Sequence, residues 1–135
     1  MMTPSPEQRL ETWLTGTIPE GQHLDFKATL HASTTAEKRE LLKDLTAMGN
    51  GGGGTIAFGV AERKDGDLSL ADHLEPMTDR QLMTSVASLL IDTIRPTLIW
   101  RTTVIEVDGG VVLVVEVDPS PMGPYMVQYK GDHRY

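Results

Sequence analysis

The stretch Leu45-Thr46-Ala47-Met48-Gly49-Asn50-Gly51-Gly52-Gly53-Gly54-Thr55-Ile56-Ala57-Phe58-Gly59-Val60 sets the end of a helix, a run of glycines and a β-rich segment in immediate succession. Leu41, Leu42, Leu45 and Met48 recur at helical spacing, and Asn50 with the glycines ends the helix. Residues 55–60 leave the turn directly, and their apolar density predicts a central strand buried on both faces. Helix before loop is the wrong order for a phosphate cradle. A P-loop needs a Lys-Ser or Lys-Thr pair and a loop that feeds a helix N-terminus, and the dinucleotide fingerprint requires the same order. The turn reads first as a helix stop with tight packing, with ATP or nucleotide binding as a further alternative.

Upstream, Ser5-Pro6-Glu7-Gln8 reads as a helix start with a capping box, and the helix carries Leu10, Trp13 and Leu14 before stopping at Gly16. Residues 1–19 form an N-terminal helix extension on this reading. Residues 23–27 alternate, which puts Leu24 and Phe26 on one face of a short strand and Asp25 and Lys27 on the other. Thr34 with Glu37 caps the helix that leads into the glycines.

Downstream, Lys64-Asp65-Gly66-Asp67 reads as a hairpin turn with Leu68 and Leu70 beyond it. A third capping box at Thr78 and Gln81 opens a helix with an apolar stripe of Leu82, Met83, Val86, Leu89, Leu90 and Ile94, ended by Pro96. Strands over residues 98–107 and 111–117 are joined by Asp108-Gly109-Gly110, and the second, nearly all valine, should be central. A last strand is expected over residues 125–129. The stop at Tyr135 reads as the edge of an excised N-terminal part of a longer protein, with C-terminal domains to follow.

The length of 135 residues fits one domain, and 39% hydrophobic with only 5% aromatic content predicts an aliphatic core. The absence of cysteine excludes disulfides and thiolate metal sites. No apolar run reaches the roughly 20 residues that span a bilayer, and the N-terminus lacks a signal core, so a soluble, cytoplasmic protein without a membrane partner is expected. A net charge of −7 argues against a surface that grips nucleic acid wherever it touches, and leaves local patches: Arg63 with Lys64, Lys38 with Arg39, and Lys130, His133 and Arg134 near the end.

Three carboxylates frame the strands on either side of the glycine turn: Glu20 and Asp25 around the first, Glu62 just beyond the second. If those strands are neighbours, the acids would converge as ligands for Mg²⁺ or Mn²⁺, which activates water for phosphate hydrolysis, and Lys27 would neutralise transition-state charge. Spacing alone favours three ordinary surface acids on an acidic protein. His23, His31, His73 and His133 show no i, i+4 metal pair and read as structural or solvent-facing. Trp13 and Trp100 read as core or interface anchors, and no Ser, His and acid set stands out.

Taken in order, Glu20-Gly21-Gln22-His23-Leu24-Asp25-Phe26-Lys27, the helix ending Ala47-Met48-Gly49-Asn50, the Gly53-to-Val60 series and Ile94-Arg95-Pro96 resemble the Schlafen AlbA_2 domain over residues 20–135. The resemblance implies an α+β fold: a mixed, largely antiparallel sheet packed with about three helices in a single lobe. It also implies binding to DNA or RNA, in a regulatory role, for which Lys27, Arg63, Lys64, Lys130 and Arg134 are the candidate cations of this sequence. An alternative is a metal-dependent nuclease acting on tRNA or single-stranded nucleic acid through Glu20, Asp25 and Glu62. Asp25 stands where that family usually has Glu, and Glu62 where it usually has Asp. Related animal enzymes join two such lobes, which makes a homodimer the natural equivalent here.

Overall fold

A computed structural model describes residues 4–81, 84, 86, 94–95, 100–119, 124, 126–129 and 132–134. The elements are α1 (Pro6–Leu14), β1 (Leu24–Lys27), α2 (Thr35–Asn50), β2 (Gly54–Phe58), β3 (Val60–Asp65), β4 (Leu68–Leu74), β5 (Ile94–Arg95), β6 (Trp100–Val107), β7 (Gly110–Val117), β8 (Met126–Tyr129) and β9 (Asp132–Arg134). The class is α+β. The strands form three sheets instead of one: β1-β2-β7-β6, the pair β3-β4, and β5-β8-β9. β1 pairs with β2 in parallel, while β3 with β4, β5 with β8 and β8 with β9 are antiparallel.

Two helices have defined bounds among the described residues, where about three were expected. Beyond Thr78, Arg80, Gln81, Thr84 and Val86 are helical, and Leu82, Met83, Leu89 and Leu90 lie outside the described residues. Both N-terminal caps form as the sequence predicts. Ser5 Oγ accepts from the Gln8 amide at 3.2 Å while Gln8 Oε1 accepts from the Ser5 amide at 2.8 Å. At α2, Thr34 Oγ1 accepts from the Glu37 amide, and Glu37 Oε1 accepts from the Thr34 and Ser33 amides, each at 3.1 Å. Each such cap stabilises its helix by about 1 kcal/mol.

The chain divides into two compact units. The first comprises residues 1–30, 55–78 and 102–115. Its core gathers Leu10 and Trp13 from α1, Phe26 from β1, Ala57 from β2, Val60 and Ala71 from the β3-β4 pair, and Ile105, Val112 and Val114 from the β6-β7 hairpin. Trp13 meets Phe26 edge-on at 5.8 Å between ring centroids, so it is a core anchor as expected. The second unit comprises residues 31–54, 79–101 and 116–135. There α2 buries Leu41, Leu42, Leu45 and Met48 and lies alongside β8.

Three features depart from the sequence reading. The strand expected over residues 55–60 breaks at Gly59, whose φ of +100° is left-handed and whose Cβ, if present, would sit 3.2 Å from the Glu75 carbonyl. Val60 therefore starts a separate strand. Ile94, expected on the helix, belongs with Arg95 to β5 and pairs with Val127. Pro96 is the physical reason, since it drives the residue before it into the extended region. Finally, β9 pairs with the expected last strand and was not anticipated.

The glycine turn is a packing device within the second unit. Gly53 is buried with φ +85°, its amide donates to the Met48 carbonyl at 2.9 Å, and a β-carbon there would lie 2.7 Å from the Val117 carbonyl oxygen. Gly21 has open space around its Cα and no left-handed φ. Gly53→Ala should therefore cost about 1–3 kcal/mol, and Gly21→Ala less than about 0.5 kcal/mol, measured by urea unfolding at constant m.

Candidate functional site

The site lies in the first unit and is entered from α1. Gly16 turns the chain at φ +73°, Pro19 bridges to Leu70 on β4, and the Glu20 amide donates to the Ser69 carbonyl at 2.8 Å. The chain then joins β1 to β2 in parallel, Leu24 beside Thr55 through Lys27 beside Phe58. The pairing is held at its ends by Thr55 N–H to the His23 carbonyl at 2.9 Å and Gly59 N–H to the Lys27 carbonyl at 2.7 Å.

Strand alternation now decides the chemistry. Leu24 and Phe26 face the core, so Asp25 and Lys27 share the opposite face. They form an ion pair, Lys27 Nζ to Asp25 Oδ2 at 3.1 Å, with side chains 35% and 28% exposed. A pair this exposed contributes under about 1 kcal/mol. Glu20 is half-buried, and its Oε1 is enclosed without a hydrogen-bond partner among the described residues. Leaving such an acceptor unmatched costs on the order of 1–3 kcal/mol.

The third acid stands on a different sheet. β3 and β4 form a two-stranded ribbon, with a register shift between Ala61 and Glu62 and a turn at Gly66 and Asp67. Glu62 is exposed opposite Ala71. Arg63 is exposed opposite Leu70, its Nε 3.6 Å from Asp72 Oδ1 and its Nη2 so close over Gly16 that a β-carbon there would come within 2.8 Å. Lys64 stands opposite Ser69 and its Nζ donates to the Ser69 hydroxyl.

The structure thus brings Asp25 to Lys27 and sets Arg63 beside Lys64 on the ribbon. It does not gather Glu20, Asp25 and Glu62. Among the described residues no group of three or more His, Asp or Glu is close enough to hold a metal ion. β1 and β2, the strands on either side of the glycine turn, are neighbours, as the sequence argument required, but the chain changes sheet at Gly59 and carries Glu62 onto β3. As placed, these residues do not fit an Mg²⁺ or Mn²⁺ ligand set. Arg134 lies in β9, and Lys130 is outside the described residues.

The family model for Schlafen, AlbA_2 matches residues 20–135. The chain belongs to that family. A solution NMR structure with the same fold is the N-terminal domain of a RecG-related protein from Nitrosomonas europaea, named for ATP-dependent DNA helicases. It matches with a TM-score of 0.64 and 15% identity over 96% of this chain and 84% of that one. No curated protein matches the chain. No helix among the described residues of this Schlafen AlbA_2 domain is long and apolar enough to cross a membrane.

One cluster escaped the sequence argument. His73 is exposed on β4 with both ring nitrogens engaged, Nδ1 with Asp72 Oδ2 at 2.7 Å and Nε2 with Glu75 Oε1 at 2.8 Å. The signal was the acid on each side, Asp72-His73-Leu74-Glu75. The hydrogen bond to Asp72, then that to Glu75, raises the imidazole pKa above its ordinary value. Glu37 moves the other way, held below the usual carboxylate range by the Thr34 and Ser33 amides.

The signs follow from linkage. A raised histidine pKa stabilises the fold fully below the unfolded value of about 6.5 and loses that contribution as pH rises through the folded value. His73→Ala should therefore lower the melting temperature at mildly acidic pH, and the gap to wild type should narrow at alkaline pH. Glu37→Ala should show its deficit at neutral pH and lose it as pH falls through the folded-state carboxylate pKa. Thermal unfolding across pH, with NMR titration of His73, checks both.

Proposed function

We propose that this Schlafen AlbA_2 domain binds nucleic acid and that the β3-β4 ribbon is the element that meets it. The observation that carries this reading is the pair Arg63 and Lys64, exposed at successive positions of a two-stranded ribbon. Successive strand residues point to opposite faces, so one cation serves each side of the ribbon. Two-stranded ribbons can enter the major groove of duplex DNA, and Arg63 and Lys64 are the ribbon side chains proposed to reach phosphates there. The RecG-related neighbour, named for DNA helicases, supports the same class of ligand.

The net charge of −7, and Asp65 and Asp67 at the ribbon tip, oppose phosphate. Binding is therefore weak and strongly salt-dependent, built on few contacts. Lys27, Lys130 and Arg134 complete the set of cations to be tested one at a time. The proposed role is that of a regulatory binding module.

A second reading, a metal-dependent nuclease acting through Glu20, Asp25 and Glu62, is favoured by one observation, the enclosed and unmatched Glu20 Oε1. The glycine turn supplies no observation in favour of nucleotide binding, because Gly53 packs on its own chain.

Fluorescence anisotropy on duplex DNA and on an RNA hairpin, from about 50 to about 200 mM salt, tests the first reading. Replacing Arg63 and Lys64 together by Ala should weaken binding alike on unrelated sequences and flatten the log K against log salt slope by about 1–2. An unchanged slope sinks the ribbon assignment. For the second reading, tRNA or single-stranded DNA is incubated with Mn²⁺. Cleavage by wild type that is lost in both Glu20→Gln and Asp25→Ala supports it, and identical behaviour of all three proteins removes it.

A further inference from the structure

One carboxylate of β4 is shared between an arginine and a histidine. Asp72 Oδ1 lies 3.6 Å from Arg63 Nε, and Asp72 Oδ2 lies 2.7 Å from His73 Nδ1. A β-bulge makes the sharing possible. Ala61 pairs with His73 and Glu62 with Ala71, so the register shift leaves Asp72 as the extra residue, without a partner on β3. Consecutive residues of a regular strand point to opposite faces, and a bulge re-aims the side chain at the irregularity. By alternation Asp72 shares a face with Leu70, and so with Arg63 opposite Leu70, whereas His73 shares a face with Glu75. The bulge lets one carboxylate reach both.

The geometry around His73 suits a charged ring. Nδ1 faces Asp72 and Nε2 faces Glu75 Oε1 at 2.8 Å, and both nitrogens donate only in an imidazolium. Glu75 is anchored by its own amide, which donates to the Gly59 carbonyl at 2.7 Å. Neighbouring elements carry other charges. On β3, Ala61 stands opposite His73, Glu62 is exposed, and Arg63 meets the histidine through Asp72. On α1, which lies along β4, Leu10 and Trp13 face the core, Arg9 is engaged with Trp13 and Thr55, and Glu7 and Glu11 are exposed. Glu20 is half-buried where its amide meets the Ser69 carbonyl. Asp72 and Glu75 are the groups that act on the imidazole.

We propose that Asp72 is an internal counter-ion that holds Arg63 away from nucleic-acid phosphate, and that a proton on His73 takes over this carboxylate and frees Arg63. Binding is then tighter at mildly acidic than at alkaline pH. The proposal rests on the ribbon reading and states how that site is regulated. Arg63 is held against its own chain, with Nε at Asp72 and Nη2 over Gly16. A phosphate that takes Arg63 competes with the Asp72 carboxylate for the guanidinium. With His73 charged, Asp72 keeps a cationic partner after Arg63 leaves. With His73 neutral, one ring nitrogen stops donating, and Asp72 depends on Arg63 for its counter-charge.

Linkage gives the sign. The bond to Asp72, then that to Glu75, keeps the ring protonated to a pH above the ordinary histidine value of about 6.5. Phosphate on Arg63 leaves Asp72 to His73 alone, so binding raises the histidine's proton affinity further and takes up protons in this range. The Arg63 and Asp72 side chains are 44% and 42% exposed, and solvent screening limits the effect on affinity to about two- to five-fold.

Anisotropy on a DNA duplex at fixed ionic strength, from about pH 5.5 to about pH 8.5, tests the switch. Wild type should bind about two- to five-fold tighter at the acidic end. His73→Gln, neutral throughout, should stay weak and flat. Asp72→Asn should be tight and nearly flat, and Arg63→Ala weak with the step lost. Asp67→Asn removes the same charge from the ribbon tip, and His31→Gln removes a histidine of the second unit; both should keep the wild-type step. A step as large as wild type in His73→Gln or Arg63→Ala overturns the proposal, as does an equal loss of the step in Asp67→Asn and Asp72→Asn. Without DNA, NMR titration of His73 should give a higher pKa in Arg63→Ala, where Asp72 loses its rival cation, and a lower one in Asp72→Asn. An unchanged value in Arg63→Ala also overturns the sharing. Binding without a pH step removes the switch and leaves the ribbon reading, whereas no binding at any pH removes that reading and the regulation with it.

Discussion

The parallel register of β1 on β2 is the constraint on which the first unit depends. Leu24 beside Thr55 and Phe26 beside Ala57 put Phe26 against Trp13 and into the core, and by alternation put Asp25 and Lys27 on the other face. A slip of one residue would bury an aspartate and a lysine and expose Phe26, a change that reverses every side chain of the strand. Arg9 reinforces the arrangement at the start of β2. Its guanidinium lies over the Trp13 ring at 5.0 Å and donates to Thr55 Oγ1 at 3.0 Å, so α1, β1 and β2 are tied at one point.

What the amino-acid sequence revealed was local, and what it concealed was pairing. The boxes Ser5 with Gln8 and Thr34 with Glu37 could be read because cap and partner lie within one turn. The parity of Asp25 and Phe26 could be read because it follows from alternation alone. The break at Gly59 could not, because its cause is the Glu75 carbonyl, sixteen positions away, and Gly59 otherwise resembles a glycine within a strand. The β5-β8-β9 sheet is held together by similarly distant pairings, apart from the short step between β8 and β9.

The candidate site shows the same division. Each acid and each cation could be picked out singly, yet whether the acids meet depends on which sheet β3 joins. Two strands that are neighbours for four residues part company at Gly59, and Glu62 leaves with the ribbon. That single backbone event sets Glu62 on a different sheet from Asp25, on the ribbon where Arg63 and Lys64 are exposed. The glycine run, the most conspicuous feature of the sequence, is explained by close packing of Gly53 on Val117 and Pro119.

An acidic protein that binds nucleic acid has to localise its cations, and the account rests on the ribbon being that locality. Amide chemical-shift mapping during titration with a DNA duplex tests this most directly. The account predicts that the largest and most salt-sensitive shifts fall on Arg63, Lys64 and Ser69 and their ribbon neighbours. Saturable binding whose shifts spare residues 60–74 would contradict it.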